Sequence, residues 1–268
     1  MENTSKPLDE APLVIQGENC RATLHLHIGH LDAFGELYRG LKKKNRFVPS
    51  PDAQRLVAEL LDFARSYRST KISGGSRFFR ARINPTQTLT DYRPLPRTQM
   101  SASPSDFTEA GRLNPEGIPY LYVASDPDTA VAEVRPWVGA HVTVAGIKTN
   151  QDIEIIDFTN ETPVGRFPGA NFPGSESGAE MIWRELLTYT MSMPLQPKHS
   201  VSYVPTQYFA EVLKAKGFGG VKYKSSLNPK GFNIAIFDPA TGRVTSTWLI
   251  TVTSVTYTYI RAKQRPRR

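Results

Sequence analysis

Cysteine is all but missing from this chain: Cys20 stands alone among 268 residues. No intrachain disulfide can form, which suits a reducing cytoplasm. No apolar run approaches the ~18 residues of a membrane-crossing helix, so the pattern predicts no membrane partner. Positive charge is scarce at the start. Met1 to Glu18 carries Lys6 against Glu2, Asp9, Glu10 and Glu18, the wrong balance for a secretory leader. It is also modest in the body. Of the net +8, five come from Arg261, Lys263, Arg265, Arg267 and Arg268, with no acid among them, which leaves three for the rest. That tail reads as solvated and disordered. It is short and has neither interleaved aromatics nor a reader motif, which argues against nucleic acid as a partner. Internal repeats are absent too.

Paired metal-ligand spacings are another absence. His25, His27 and His30 lie near Cys20, but on one helix positions 27 and 30 share a face while 25 and 27 do not. Structural zinc wants spacings such as C-x-x-C or H-x-x-x-H. No metal is expected, and these side chains read as a polar helix face or as contacts to a partner.

What is present organises into three parts. Residues 1–75 hold an unstructured lead and a helical hairpin. Apolar residues at Leu24, Ile28, Leu31, Phe34, Leu37, Tyr38 and Leu41 predict a helix over about 20–41. Ser50-Pro51 caps a second, carrying Leu56, Leu60, Leu61, Ala64 and Tyr67. Ser73-Gly74-Gly75 breaks the pattern. From residue 76 to about 260 the signal is a mixed α/β body. Strands are expected at 76–83, 120–124, 141–147, 153–158, 219–226, 232–237 and 247–259. Helices are expected at 180–193 and at 206–216, the latter stopped by Gly217. Residues 160–178, rich in Gly, Pro and Ser, predict a long surface loop. Residues 261–268 form the basic tail.

The most informative stretch runs from Gly111-Arg112-Leu113-Asn114-Pro115-Glu116-Gly117 through Tyr120-Leu121-Tyr122 to Glu133. Pro115 and Gly117 punctuate a turn. Tyr120 to Ala124 reads as a buried strand. Asp126-Pro127-Asp128 opens a helix, and Glu133 lies about two turns in. A cation, an aromatic ring and a carboxylate are thus set in one loop-strand-helix unit. Such a set can hold an anionic, ring-bearing substrate and stabilise positive charge developing on it.

This unit resembles the RES domain, a family named for an Arg, a Glu and a Ser. The G-R-x-N-x-x-G…Y segment and the downstream Glu are both present. The family's first Arg is matched by Arg80 in Ser76-Arg77-Phe78-Phe79-Arg80-Ala81-Arg82-Ile83, with Arg82 as the neighbouring alternative. Its Ser is matched by Ser225, with Ser226 as the alternative, ahead of the G-x-N strand Gly231-Phe232-Asn233-Ile234. The likeness covers about residues 76–240. It departs from the family at Leu113, where an aromatic is commoner.

The resemblance implies an ADP-ribosyltransferase-like fold acting on NAD as substrate. It implies a toxin-like enzyme that cleaves the nicotinamide-ribose bond, with water or phosphate as acceptor and an antitoxin protein as partner. Cleaving that bond leaves an oxocarbenium-like ribose. Glu133 would stabilise that charge and orient the nucleophile. Arg80 (or Arg82) and Arg112 would clamp phosphates through their planar forks. Tyr122, with Tyr120 as its competitor on the same strand face, would stack on nicotinamide or bond the ribose. Ser225 would bind the nicotinamide amide or ribose. Each has a plain structural alternative: a solvated helix Glu pairing with Arg135, structural ion pairs for the arginines, core tyrosines, a strand-end serine. Asp157, at a strand end, reads as structural. Two other functions stay open, an ADP-ribosyltransferase that modifies a protein and a non-catalytic basic binding module. A homo-oligomer also stays open.

Overall fold

The computed structural model describes residues 35–85, 92–159 and 200–256. Within them, residues 35–43 are helical (α1) and Pro51–Arg68 forms α2. Ser50 caps α2 as its pattern predicts, its Oγ accepting from the Ala53 N–H, with Pro51 opening the helix. The expected start of the first helix near residue 20, the loop at 160–178, the helix at 180–193, the histidine group with Cys20 and the basic tail all lie outside the described residues.

Eight strands follow among the described residues: β1 (Ser69–Ile72), β2 (Arg77–Ile83), β3 (Leu121–Ala124), β4 (His141–Thr149), β5 (Ile153–Asp157), β6 (Gly220–Lys224), β7 (Phe232–Ile236) and β8 (Gly242–Thr251). They form one sheet in the order β1-β5-β6-β7-β3-β2-β4-β8. Every neighbouring pair is antiparallel except β5 and β6. A parallel pair needs a crossover, and that connection carries α4 (Val204–Ala215). The short helix α3 (Pro127–Glu133) follows β3 directly. The mixed α/β class expected from the sequence is what the chain adopts.

Side-chain alternation sorts the sheet into two faces. On one, Ile156, Val221, Tyr223, Ala235 and Phe237 pack under α1, α2 and α4. Leu37, Leu41, Leu56, Leu60 and Ala64 meet Phe209 and Leu213 there, at the helical spacing that predicted them. Burying each such leucine contributes roughly 1.5–3 kcal/mol. The hairpin therefore shares its core with the sheet, and β1 extends the same sheet through pairing with β5. Apolar contact runs across residues 73–75. The opposite face is closed by Met100 against Phe78, Leu121, Val123, Ile147, Ile155 and Ile234.

The last strand differs from its expectation at 247–259. It starts at Gly242 and stops at Thr251, because it is templated by β4: Gly242 faces Thr149 and Thr251 faces His141. Beyond His141 only Val252 still exchanges backbone bonds, with Gly139 and Ala140, so residues 253–256 leave the ladder whatever their propensity.

Asp157 has the structural role expected of it. It ends β5 beside Lys222 on β6, with Lys222 Nζ 2.8 Å from Asp157 Oδ2 and the Thr159 N–H donating to Oδ1 at 2.7 Å. Burial works against this charge, but the bonds from Lys222 and Thr159 outweigh it and hold the carboxyl below its ordinary range. Its folded value is depressed, so the stabilisation is present above the unfolded carboxyl value and lost as pH falls through the folded one. Asp157→Asn should cost on the order of 3 kcal/mol at neutral pH, by leaving Lys222 unpaired. Urea titrations of both proteins should show the difference shrinking below about pH 4.

Candidate active site

A cleft opens where β2 and β3 part. These strands match at a single position, Phe79 opposite Ala124. In a continued ladder the Tyr122 carbonyl would face backbone of β2. Instead Arg80 Nη1 donates to it at 2.9 Å. A side chain replaces a strand contact, and the parted strands leave a cavity of about 250 Å³. Its walls are Phe79, Arg80 and Ala81 of β2, Tyr122 to Ala124 of β3, Ala130, Glu133 and Val134 around α3, Tyr223 of β6 and Asn233 of β7.

Arg80 is half-buried. Its Nε is buried with no hydrogen-bond partner among the described residues. Burial first, then the like charge of Arg82, bring its guanidinium down to about 10, so it remains charged at neutral pH. A shielded cation with an unused donor favours an anion. Arg82 is engaged elsewhere, its Nη2 donating to the Ser101 carbonyl at 3.1 Å and standing 3.3 Å from Ser103 Oγ. The structure thus separates the two alternatives: Arg80 lines the cleft, whereas Arg82 ties down the loop at 101–103.

Glu133 is the last residue of α3, whose first turn is capped by Asp126 accepting from the Thr129 N–H at 2.8 Å. Its Oε1 accepts from Ser225 Oγ and from Asn233 Nδ2, each at 2.7 Å. Oε2 has no partner among the described residues. The sequence alternative, an ion pair with Arg135, is not what forms: Arg135 is exposed and takes a left-handed φ of 49° as the helix ends.

Ser225 is buried, and Ser226 beside it is exposed. The Ser225 hydroxyl gives its proton to Glu133 and accepts from the Leu227 and Asn228 N–H groups at 3.2 and 3.0 Å. Its one donor is therefore directed at Glu133 rather than into open space for a ligand. Gly231, in the loop before β7, is needed for the same local fold, since a Cβ there would run into the Thr129 side chain.

Tyr122 and Tyr120 divide their tasks. The Tyr122 hydroxyl donates to Asn114 Oδ1 at 2.9 Å and accepts from the Leu113 N–H at 3.1 Å. Burial pushes it up to about 12, although the Leu113 and Asn114 backbone N–H groups and the charges of Arg112 and Arg80 pull the other way. Its tip holds the Arg112 loop, and only its ring faces the cleft. Tyr120 packs on Phe237 and donates to Glu211 at 3.1 Å, under α4 and away from the cavity lining.

Arg112 is not itself a wall of the cavity; its guanidinium carbon lies 5.7 Å from the Tyr223 ring centroid. Tyr223 is itself a wall of the cavity. Its hydroxyl is raised, by burial first; Arg112 opposes this, while Tyr122 and Glu133 add to it. Arg112, Tyr122 and Glu133 thus surround one phenol. Arg80 bonds the Tyr122 carbonyl and Ser225 bonds Glu133; Arg80, Tyr122 and Glu133 line the cavity together, Ser225 stands behind Glu133, and Arg112 reaches the cavity wall at Tyr223.

Three participants were given no role from sequence, although Asn114 and Asn233 stand within the quoted motifs. Asn233 holds Glu133, Asn114 folds the Arg112 loop, and Tyr223 bridges the two halves. Asn233 and Asn114 carried one signal: asparagine is a poor strand former, so a buried one in or beside a strand implies a specific partner. Asn114 is only 3% exposed and Asn233 5%. Gly111 completes the motif, since a Cβ would collide with Asn114 Oδ1 and crowd the Tyr122 hydroxyl.

Among the described residues no group of three or more His, Cys, Asp or Glu could hold a metal ion, and no helix is long and apolar enough to cross a membrane. Among solved structures, the M. tuberculosis MbcT-MbcA toxin-antitoxin complex contains a chain similar to this one, at 13% sequence identity and a TM-score of 0.44, covering 73% of this chain and 94% of that one. Against the sequences of curated proteins nothing matches. The family model of the RES domain matches residues 81–259, beginning one residue past Arg80 and taking in Arg112, Tyr122, Glu133 and Ser225. That span exceeds half of the sequence, and the chain belongs to the RES domain family.

Proposed function

We propose that this protein is a toxin-like enzyme that consumes NAD by cleaving its nicotinamide-ribose bond. The observation that carries this reading is the pairing, across one small cleft, of a half-buried guanidinium with a fixed carboxylate. Arg80 offers an unused buried donor. Glu133 is fixed at Oε1 by Ser225 and Asn233 and keeps Oε2 free of any partner among the described residues. NAD matches that pairing, with phosphates for the arginines and a sugar that becomes cationic for the carboxylate.

At about 250 Å³ the cavity lies at or below the ~300–1,000 Å³ typical of ligand pockets, so it suits one end of a dinucleotide rather than the whole. The nicotinamide ribose would enter between Phe79, Val134 and the Tyr122 ring, with the phosphates at Arg80 and Arg112. When the C1′–N bond breaks, its electron pair goes to the pyridinium, which leaves as neutral nicotinamide. C1′ is left oxocarbenium-like, facing Glu133 Oε2. A water or phosphate oxygen then bonds to C1′, and an attacking water passes its proton to Glu133 or to solvent. The apolar walls exclude water and strengthen the carboxylate's effect on the developing charge. Ser225 and Asn233 act through Glu133 by fixing its rotamer.

Incubating purified protein with NAD tests this. Free nicotinamide should appear with no protein target added. ADP-ribose in phosphate-free buffer identifies water as acceptor, and a phosphorylated ADP-ribose in phosphate buffer identifies phosphate. Label appearing only on protein would favour the transferase reading, and no nicotinamide in any condition would reject the enzyme altogether. A toxin-like role further implies a protein antitoxin that restrains turnover, so co-expression with a neutralising partner should restore growth that the enzyme alone arrests.

The Asn233 contact yields a pH test. Asn233→Asp places a second carboxylate against Oε1, and two like charges at that distance cannot both ionise freely. The acid limb of the pH–rate profile should move to higher pH, with activity recovering as pH rises. A profile that only drops in height would show Asn233 to be a packing residue.

A further inference from the structure

Arg112 lies on a loop, and loops ordinarily give less precise placement than strands or helices. This loop is gripped from behind. Gln207, in the first turn of α4, donates through Nε2 to the Gly111 carbonyl at 2.8 Å and to the Asn114 carbonyl at 3.1 Å. Its neighbour Thr206, only 2% exposed, places its hydroxyl on the Arg112 carbonyl and within 2.9 Å of the Tyr203 carbonyl. Three carbonyls of the four residues 111–114 are thus held by two adjacent side chains. From the front, the same loop is held by the Tyr122 hydroxyl through Leu113 and Asn114. Between the two grips the backbone of Arg112 has little room to shift, and its guanidinium is left to Tyr223 and the cleft.

We propose that Thr206 and Gln207 are positioning residues for Arg112, setting substrate affinity from α4 without touching substrate. This rests on Arg112 being a phosphate ligand of the proposed reaction. A planar fork meets two phosphate oxygens only within a narrow range of placement, and misplacing a binding group by about 1 Å can cost on the order of 100-fold. Neither residue lines the cleft, so a role in affinity must pass through the loop.

The test has two arms. Gln207→Leu and Thr206→Val should each raise the KM for NAD about tenfold, the scale of one lost hydrogen bond, with kcat changed far less. Thr206→Ser keeps the hydroxyl and should restore the wild-type KM. If the residues act through Arg112, Gln207→Leu should add little in an Arg112→Lys background. Full multiplication of the two effects, or a KM unmoved by either α4 variant, would overturn the proposal. The second arm does not need turnover. Hydrogen exchange at the Gly111 and Leu113 amides, which bond to the Asn114 carbonyl and the Tyr122 hydroxyl, should accelerate in Gln207→Leu at unchanged global stability. Unchanged exchange there would also overturn it. If wild-type protein releases no nicotinamide, the enzymatic reading has failed, while the exchange arm still decides whether α4 holds this loop.

Discussion

Glu133→Gln should release nicotinamide from NAD at least about 100-fold more slowly than the wild-type protein, about 2.7 kcal/mol of barrier, while binding intact NAD almost as well. The substitution is nearly isosteric. A Gln carbonyl can still accept from Ser225 and Asn233, the two donors that hold Oε1 at 2.7 Å, so the end of α3 should keep its place. What disappears is the negative charge at Oε2. That charge matters little to ground-state NAD, whose phosphates lie with the arginines, and greatly to a ribose that has become cationic. The loss should therefore fall on kcat. Burst and single-turnover measurements would separate it from product release. Nicotinamide release near the wild-type rate would make the carboxylate structural and the mechanism wrong.

Arg80→Met should raise the KM for NAD by about 100-fold, the upper range for losing a charge-assisted hydrogen bond, yet leave the unliganded protein close to wild-type stability. The two halves of this expectation have one cause. In the free protein Arg80 is a half-buried charge, with Nε buried and unpartnered and its guanidinium brought down to about 10 by burial first. Removing it relieves that desolvation cost and forfeits the bond to the Tyr122 carbonyl, two terms of opposite sign. Arg82→Met should do the reverse. It releases the Ser101 carbonyl and Ser103, so it should loosen the 101–103 loop and lower the melting temperature with a smaller effect on KM. If the two phenotypes were exchanged, the assignment of Arg80 to substrate would be wrong.

Much of this site could be read from the order of residues, because its parts lie close in sequence. The Gly111 to Tyr122 segment folds on itself, with Asn114 reaching Glu109, Pro115 and Tyr122. Asp126-Pro127 starts the helix that ends at Glu133. Such contacts follow from turn and capping chemistry over a few residues. The roles of individual atoms were harder to read. Tyr122 was expected to stack on nicotinamide or bond the ribose, and Ser225 to bind the amide or ribose; both hydroxyls hold neighbouring protein groups. A sequence shows that a hydroxyl is present but not which acceptor lies nearest once distant strands are side by side.

By itself, then, the sequence determined the types of most described elements, though not β1, together with the cap of α2, the helix that presents Glu133, the family, and the short list from which the candidate site is drawn. These depend on local periodicity and on motifs whose residues are neighbours in the chain. Only the tertiary structure decided which of Arg80 and Arg82 faces the cleft, which of Ser225 and Ser226 is buried, and where β8 ends. It also brought in Asn233 and the α4 grip on the Arg112 loop. Ser225 and Asn233 lie roughly a hundred residues from Glu133 and meet it because β7 pairs with β3 and β6. Arg80 faces the cleft because β2 and β3 part after one matched position. Strand order and the point where two strands diverge are properties of the whole sheet, set by the joint packing of both faces, and no window of sequence contains them.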